Sequence, residues 1–406
     1  MNTPKLRFKE FQDSWTRTKL ETLLVELKDK SLGNDNGIVL TSSRKGLFPR
    51  STYFDGREEE KTVGYSLVPK NSFTYRQMSD DNTFFINLNK DFELGLVSPE
   101  YPVFITNELL DTTYFASYIN DSRAFKQYCQ LQKKGGTRTR LYFKVLKELE
   151  VIIPSLDEQK KIGLFFEALS KKIQLQQGKI DLLKEQKKGY MQKIFSQELR
   201  FKAENGESYP EWTMCNFNDT FDIITDYVAN GSFESIRNNV SYSEKEDFAY
   251  VVRLQDASNN WQGPFVYTNE HAYEFLKKTK LYPGDIIMSN VGSVGKFFKI
   301  PNLDKPMTLG PNALLLRSIT HNSEFLYQLL KSDVFLKHLT KKITPGAQSK
   351  VNKTDLKSIE VSIPCIQEQT KIANFLSELD KKIDIENKRL RMLTDQKQAF
   401  MQQMFV

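Results

Sequence analysis

Residues 136–173 read GTRTRLYFKVLKELEVIIPSLDEQKKIGLFFEALSKKI, and residues 346–383 read GAQSKVNKTDLKSIEVSIPCIQEQTKIANFLSELDKKI. The two align without a gap at an offset of 210, and the alignment runs on to Phe195 and Phe405. Their clearest shared string is LK-x-x-EV-x-IP-x-x-x-EQ-x-KI. A repeat this long decides the organisation of the chain before any single motif is weighed.

Each copy opens on a strand-like piece, LEVII at 149–153 and IEVSI at 359–363. Each stops at a proline, Pro154 or Pro364, which cannot donate to a sheet ladder. A heptad pattern follows, with apolar residues in steps of four and three. The first seam is Ile162, Phe166, Leu169, Ile173, Ile180, Leu183, Tyr190 and Ile194; the second is Ile372, Leu376, Leu379, Ile383, Leu390, Leu393, Phe400 and Met404. Polar residues interrupt both seams at matching places, Gln176 with Glu386 and Lys187 with Lys397. Such groups either key the register of a coiled coil or snorkel at its edge. A helix over 157–195 would be ~58 Å long. Two such helices pairing antiparallel would give a pseudo-twofold repeat, with globular domains at opposite ends of a rod. Apolar residues beside the seam (Phe165, Leu182, Phe195; Phe375, Met392, Phe405) exceed what one partner helix can cover; they either pack on the globular domains or, the favoured reading, meet another protein.

Upstream of each block lies a shorter echo, Leu6-Arg7-Phe8-Lys9 before Trp15 and Leu199-Arg200-Phe201-Lys202 before Trp212. The chain of 406 residues therefore reads as variable block, shared segment, variable block, shared segment, with boundaries at 1–148, 149–196, 197–358 and 359–406. The variable blocks do not align with each other. In the first, strand-like runs occur at 37–40, 84–88 and 101–105, a turn at 54–57, and a helix over 111–132. In the second, strands are expected at 248–254 and 285–289 and a helix over 324–340. The fold class is α+β: two mixed domains separated by two long antiparallel coiled-coil helices.

Composition is that of a soluble globular chain, 39% hydrophobic and 27% charged. No apolar run approaches a membrane span, and the charged residues 1–10 lack a signal-peptide core, so a cytoplasmic location without membrane contact is expected. Three scattered cysteines and three histidines without ligand spacing argue against disulfides and a metal site. The net charge of +7 is a weak pointer to nucleic acid. The 196–366 region is slightly acidic, so DNA binding there requires cations gathered on one face. No Gly-x-Ser-x-Gly, His-Glu-x-x-His or Asn-Pro-Pro-aromatic string occurs, and Glu58-Glu59-Glu60 reads as a solvated loop.

Three stretches could carry recognition chemistry. The junctions before the shared segments hold Lys133, Lys134, Thr137, Arg138 and Arg140, matched by Lys341, Lys342, Gln348 and Lys350; their glycines, hydroxyls and cations suit phosphate oxygens. Arg44 and Lys45 follow Thr41-Ser42-Ser43, with Arg50, Arg57 and Arg76 nearby, and arginine is the usual reader of guanine. The string from Pro283 to Lys296 ends in Gly-Lys but fails as a phosphate loop, because Asn290 stands where glycine is needed and Phe297 where Ser or Thr should bind magnesium. It reads as strand, turn, strand, with Ser289, Asn290, Ser293 and Lys296 at the turn. Each stretch could equally be a solvated surface.

With these strings in view, the chain resembles the specificity subunit of type I restriction-modification systems. The most specific strings are Thr344-Pro345-Gly346-Ala347-Gln348, Ile363-Pro364, Glu368-Gln369-x-Lys371-Ile372 and Phe375-Leu376-Ser377-Glu378-Leu379-Asp380. Gly284-Asp285-Ile286-Ile287, Gly292-Ser293-Val294-Gly295-Lys296 and residues 95–104 resemble parts of recognition domains, of two different subtypes. The first junction, Gly136-Thr137-Arg138-Thr139-Arg140, is less regular than its partner. The resemblance implies a non-catalytic subunit that reads a bipartite, asymmetric double-stranded DNA site. The paired helices would set the unread spacer and dock two methyltransferase subunits. Partners would bring S-adenosylmethionine, and restriction subunits ATP and magnesium. Two other readings stand beside it: an enzyme acting alone, and a coiled-coil structural adaptor without DNA specificity.

Overall fold

Beyond Pro154 and Pro364 the chain turns at once into helix, Leu156–Phe195 and Ile366–Met404, of 40 and 39 residues. Acidic residues in the first turns, Asp157 and Glu158 in one and Glu368 in the other, suit the positive end of the helix dipole. The computed structural model describes residues 3–33, 35–54, 62–133, 137–344 and 349–405. The chain divides into two compact units, Met1–Gly178 with Asn387–Val406, and Lys179–Glu386. The division falls within both long helices rather than at 148, 196 and 358, because helix ends complete the globular cores.

In the first unit, Phe165 meets Phe400 edge-on with centroids 5.1 Å apart, and Phe166 stacks on Phe405 at 5.3 Å. In the second, Lys179 reaches Glu386, Lys187 reaches Asp380 and Tyr190 meets Phe375. Residue numbers there rise on one helix as they fall on the other, so the segments run antiparallel. Ile162, Phe166, Ile180, Ile372, Leu376, Leu379 and Ile383 are buried, and Leu169, Ile173, Leu183, Leu390 and Leu393 half-buried.

Three of the four polar interruptions, Glu386, Lys187 and Lys397, are ion-paired rather than loose. Lys187, 7% exposed, donates to both Asp380 oxygens at 2.6 Å. Burial pushes its pKa down, and Asp380 works against that shift. Lys179 donates to the buried Glu386 at 2.8 Å, and Lys397 lies 3.3 Å from Asp121.

The flanking apolar residues depart from expectation. Phe195 packs on Trp212 and Phe325, Phe375 on Tyr190 and Phe201, Phe165 on Phe8, and Phe405 on Tyr114 and Tyr118. Only Leu182 and Met392 of the six are exposed, at 68% and 70%. The large aromatic rings near the helix ends are taken up by the domain cores.

The two variable blocks share one topology despite their unalignable sequences. One sheet in the first unit runs Leu24–Leu27, Val103–Thr106, Phe73–Thr74, Asn87–Leu88; in the second, Ile223–Asp226, Ala313–Arg317, Ile286–Ser289, Phe297–Lys299. The other runs Gly46–Pro49, Ile38–Ser43, Leu94–Val97, Ser66–Pro69 in one unit, and Val266–Thr268, Ala249–Val252, Met307–Leu309, Lys280–Leu281 in the other. Each second sheet holds one parallel pair at its centre, Val39 opposite Leu96 and Val251 opposite Thr308. The two recognition-like domains are thus variants of one architecture.

Both expected long helices of the blocks are broken in two. Thr112–Tyr118 is followed by Arg123–Leu131, and Ser323–Leu330 by Asp333–Thr340. Ser122 and Ser332 each cap the second piece by accepting from the N–H of Phe125 or Phe335. Strand 84–88 shrinks to Asn87–Leu88, and residues 55–57 of the expected turn lie outside the described residues.

The N-terminal echo is explained by two matching contacts. Arg7 grips Glu158 through two bonds of 2.7 Å, and Arg200 grips Glu368 at 2.8 and 2.9 Å. The Leu6 N–H donates to the Gln403 carbonyl at 2.9 Å, and the Leu199 N–H to the Lys193 carbonyl at 2.9 Å. Each arm is therefore seated on the last turn of one long helix.

Candidate nucleic-acid interface

The junction strand and the mid-domain turn, far apart in sequence, meet in both units. In the first, Thr139 pairs with Ser79 and Arg140 with Met78, and the Leu141 N–H donates to the Gln77 carbonyl at 2.9 Å. In the second, Lys350 bridges to Val291, the Gly292 N–H donates to Ser349 at 2.8 Å, and the Val351 N–H to Asn290 at 3.2 Å. Lys350 is the repeat partner of Arg140, so residues 292–296 occupy the place of residues 79–83.

In the first unit a cleft of about 830 Å³ is lined by Thr41, Arg44, Lys45, Arg50, Arg76 and Tyr101, among others. Its cations come from three places. Ser43 pairs with Gly46 in a tight hairpin whose tip carries Arg44 and Lys45; Gly46 has φ +128°, which a side chain would strain. Arg50 lies over the Phe54 ring at 5.2 Å, and Arg76 is exposed. Arg50 and Arg76 favour the ionised form of Tyr101, but burial outweighs them and pushes its hydroxyl pKa up.

Arg44 and Arg138 are tethered by adjacent carboxylates. Arg44 Nη2 donates to Asp81 Oδ1 at 2.5 Å, and Arg138 Nε to Asp80 Oδ1 at 2.9 Å. Arg44 and the Ser79 hydroxyl hold the Asp81 carboxyl well below the usual carboxylate range. Sequence reasoning passed over Asp80 and Asp81 because acids argue against DNA on charge alone. Their signal was position, in a five-residue polar run between Met78 and Phe84.

In the junctions, Lys133, Thr137, Arg138 and Arg140 are exposed, and Arg140 Nη1 donates to the Tyr142 hydroxyl at 2.8 Å. Lys341, Lys342 and Lys350 are likewise exposed. Lys134 and Gln348 lie outside the described residues. In the second unit's turn, Ser293 and Lys296 are exposed, whereas Ser289 is buried. The Ser289 hydroxyl bonds the Ser293 carbonyl and accepts the Lys296 N–H, so it shapes the turn instead of facing outward. Asn290 Oδ1 is buried without a partner among the described residues. A second cleft, about 520 Å³, is lined by Tyr242, Arg253 and Asn312; nothing in the strand-like run ending at Leu254 marked it. Arg253 is held there by Asp256 at 2.6 Å.

Among the described residues no cluster of His, Cys, Asp or Glu could hold a metal ion, and no helix is long and apolar enough to cross a membrane.

The family model described as type I restriction modification DNA specificity domain matches residues 50–185 and 210–395. The MjaVIII type I restriction enzyme specificity subunit of Methanocaldococcus jannaschii is 24% identical over 306 residues, 73% of this chain and 69% of that protein. The putative MjaX specificity subunit of the same organism is 27% identical over 224 residues, about half of each chain at 52% and 49%. Among solved structures, the S subunit of a type I restriction-modification system from M. genitalium matches with a TM-score of 0.58 at 16% identity, covering 100% of this chain and 99% of that one. A chain from a study of complex assembly and conformational transition of the type I R-M system matches with a TM-score of 0.53 at 13% identity, covering 95% and 96%. At these identities the structural matches speak for the fold.

Proposed function

The chain belongs to the type I restriction-modification DNA specificity family, and from that premise we propose which surfaces read the DNA. The chain is a DNA sequence-recognition subunit. Each unit presents to one half of a bipartite, asymmetric site the surface where its mid-domain turn meets its junction strand. In the first unit Arg44, Arg76 and Arg138 have the chemistry to reach base edges in the major groove. Lys45, Lys133 and Arg140 suit phosphates, as do Lys296, Lys341, Lys342 and Lys350 in the second. The observation that carries this reading is the convergence, in both units, of a cation-bearing junction strand with a polar mid-domain turn that the sequence keeps about 60 residues away.

The chain itself supplies recognition, and the chemistry belongs to partners. Two methyltransferase subunits with S-adenosylmethionine would modify adenine, and restriction subunits with ATP and magnesium would cleave. The long helices, through Leu182 and Met392, offer apolar footholds to the methyltransferases. Sequencing of modified adenines in host DNA, with and without the gene, tests the reading. One bipartite motif should disappear on deletion. An unchanged set of motifs in a strain that expresses the methyltransferase subunits would overturn it and favour a structural adaptor.

A further inference from the structure

We propose that Asp80 and Asp81 are positioning residues for sequence specificity in the first unit: they hold the guanidinium groups of Arg138 and Arg44 in place and penalise contact with DNA backbone. The inference rests on the DNA-recognition reading above. Two carboxylates at the mouth of a cationic cleft work against affinity, since each repels the phosphates that the neighbouring arginines attract. They also do little for stability. Both ion pairs are more than half exposed, and exposed pairs are worth at most ~1 kcal/mol.

Their geometry points to aiming. Asp80 takes only the Nε of Arg138, so among the described residues the two terminal nitrogens of that guanidinium, the pair that matches guanine O6 and N7, are not used by the carboxylate, whereas Asp81 takes the Nη2 of Arg44. Asp81 is itself fixed, accepting from the Ser79 hydroxyl at 2.9 Å and the Thr83 N–H at 3.2 Å. Ser79 is buried and lies in the strand pair with Thr139, so the position of Arg44 is referred through Asp81 to the sheet rather than to a loose loop, and Arg138 directly precedes Thr139 in that strand pair. The comparison within the chain supports this. The equivalent turn of the second unit, Gly292-Ser293-Val294-Gly295-Lys296, carries no acid and ends in an exposed lysine. The first turn restrains arginines; the second has no carboxylate with which to do so.

The test uses the chain co-expressed with its methyltransferase subunits. Motifs are mapped for the wild type, Asp80→Asn, Asp81→Asn, Asp80→Glu and Arg138→Ala, and binding to a duplex lacking the motif is titrated against salt. The asparagine variants should bind the non-specific duplex several-fold more tightly and relax the motif at one or two positions of one half-site. The other half-site should stay intact, and Asp80→Glu should restore discrimination. Arg138→Ala should relax the same half-site without the gain in non-specific binding. Unchanged motif and binding in both asparagine variants, with the wild type reading its site, would overturn this proposal alone. A wild type with no motif and no salt-dependent binding would overturn the DNA reading beneath it.

Discussion

The Glu-Gln pair of the shared string holds each shared segment at two separate points. Glu158 and Glu368 are fully buried, and each takes both arms of an arginine from the N-terminal echo. Gln159 and Gln369 donate to the carbonyls of Pro154 and Pro364, and accept the N–H of Asp111 and Asn322, which begin the domain helices. The string was legible as a repeat, but its meaning was not, because the arginine lies 151 residues away in one copy and 168 in the other. A difference between the copies makes a prediction. The Trp212 indole N–H also donates to Glu368, at 3.1 Å, whereas the Trp15 indole N–H has no partner among the described residues. Removing one member of a buried pair leaves an uncompensated charge and costs about 3–5 kcal/mol. Arg7→Ala should therefore destabilise the first unit by more than Arg200→Ala destabilises the second, as read by urea unfolding. Equal costs would show that Trp212 contributes nothing. His321 gives a second test. Its Nδ1 lies 3.0 Å from Gln369 Nε2, and burial pushes its pKa below 6.5. The unfolded chain then takes up a proton first, so stability should fall as pH drops below about 6.5 and level off below the folded pKa. His321→Gln should flatten that slope; an unaltered slope would assign it to other groups.

At the scale of elements, the long helices were readable because seven-residue periodicity survives substitution. The ion pairs of Lys187 and Lys397 were signalled only as interruptions, since their partners, Asp380 beside the facing seam and Asp121 in the first variable block, sit outside the seam in sequence. The strands were read less well. Many span two to four residues, too short for alternation to declare itself, and the paired strands of each sheet are drawn from distant parts of the block. The breaks in the domain helices escaped because apolar spacing continues through them. The helix over 111–132 breaks between Tyr118 and Arg123, where the Ser122 hydroxyl caps the second piece. Asn120 donates to the Ile86 carbonyl at 2.7 Å and accepts the Ile86 N–H at 2.8 Å, tying the break to the neighbouring strand region. Asn120→Ala should cost about 1–3 kcal/mol by leaving both groups of Ile86 unpaired. Thermal unfolding would show it, and a neutral result would mean that water replaces the amide. Of the candidate interface, the arginines and the two junctions were legible as chemistry. Their convergence was not, because it depends on a pairing between Arg140 and Met78 that no local pattern announces.

For the whole molecule, the consequence of duplication lies in who completes each core. The first unit's core includes Met401 and Met404, with Phe400 and Phe405 packed against it, all from the second long helix. The second unit's core includes Ile194 and Phe195, with Tyr190 and Met191 against it, all from the first. These four positions correspond one to one across the offset of 210, and Leu6 on Gln403 matches Leu199 on Lys193. A chain cut after residue 202 would hold a core lacking its helical end and a helical end lacking its core. Side chains of similar bulk at the matched positions can repack, so two such half-chains should exchange ends, each lending residues 190–195 to the other. Light scattering of the 1–202 fragment should report a homodimer. Ile194→Asp with Phe195→Asp should abolish it by placing charges where an apolar surface must be buried. If the dimer also docks methyltransferase, it should modify a palindrome built from the first unit's half-site, because both halves would then carry the same recognition domain. A folded, soluble monomer from the fragment would mean that the first core closes without any helix end, and would remove the exchange argument.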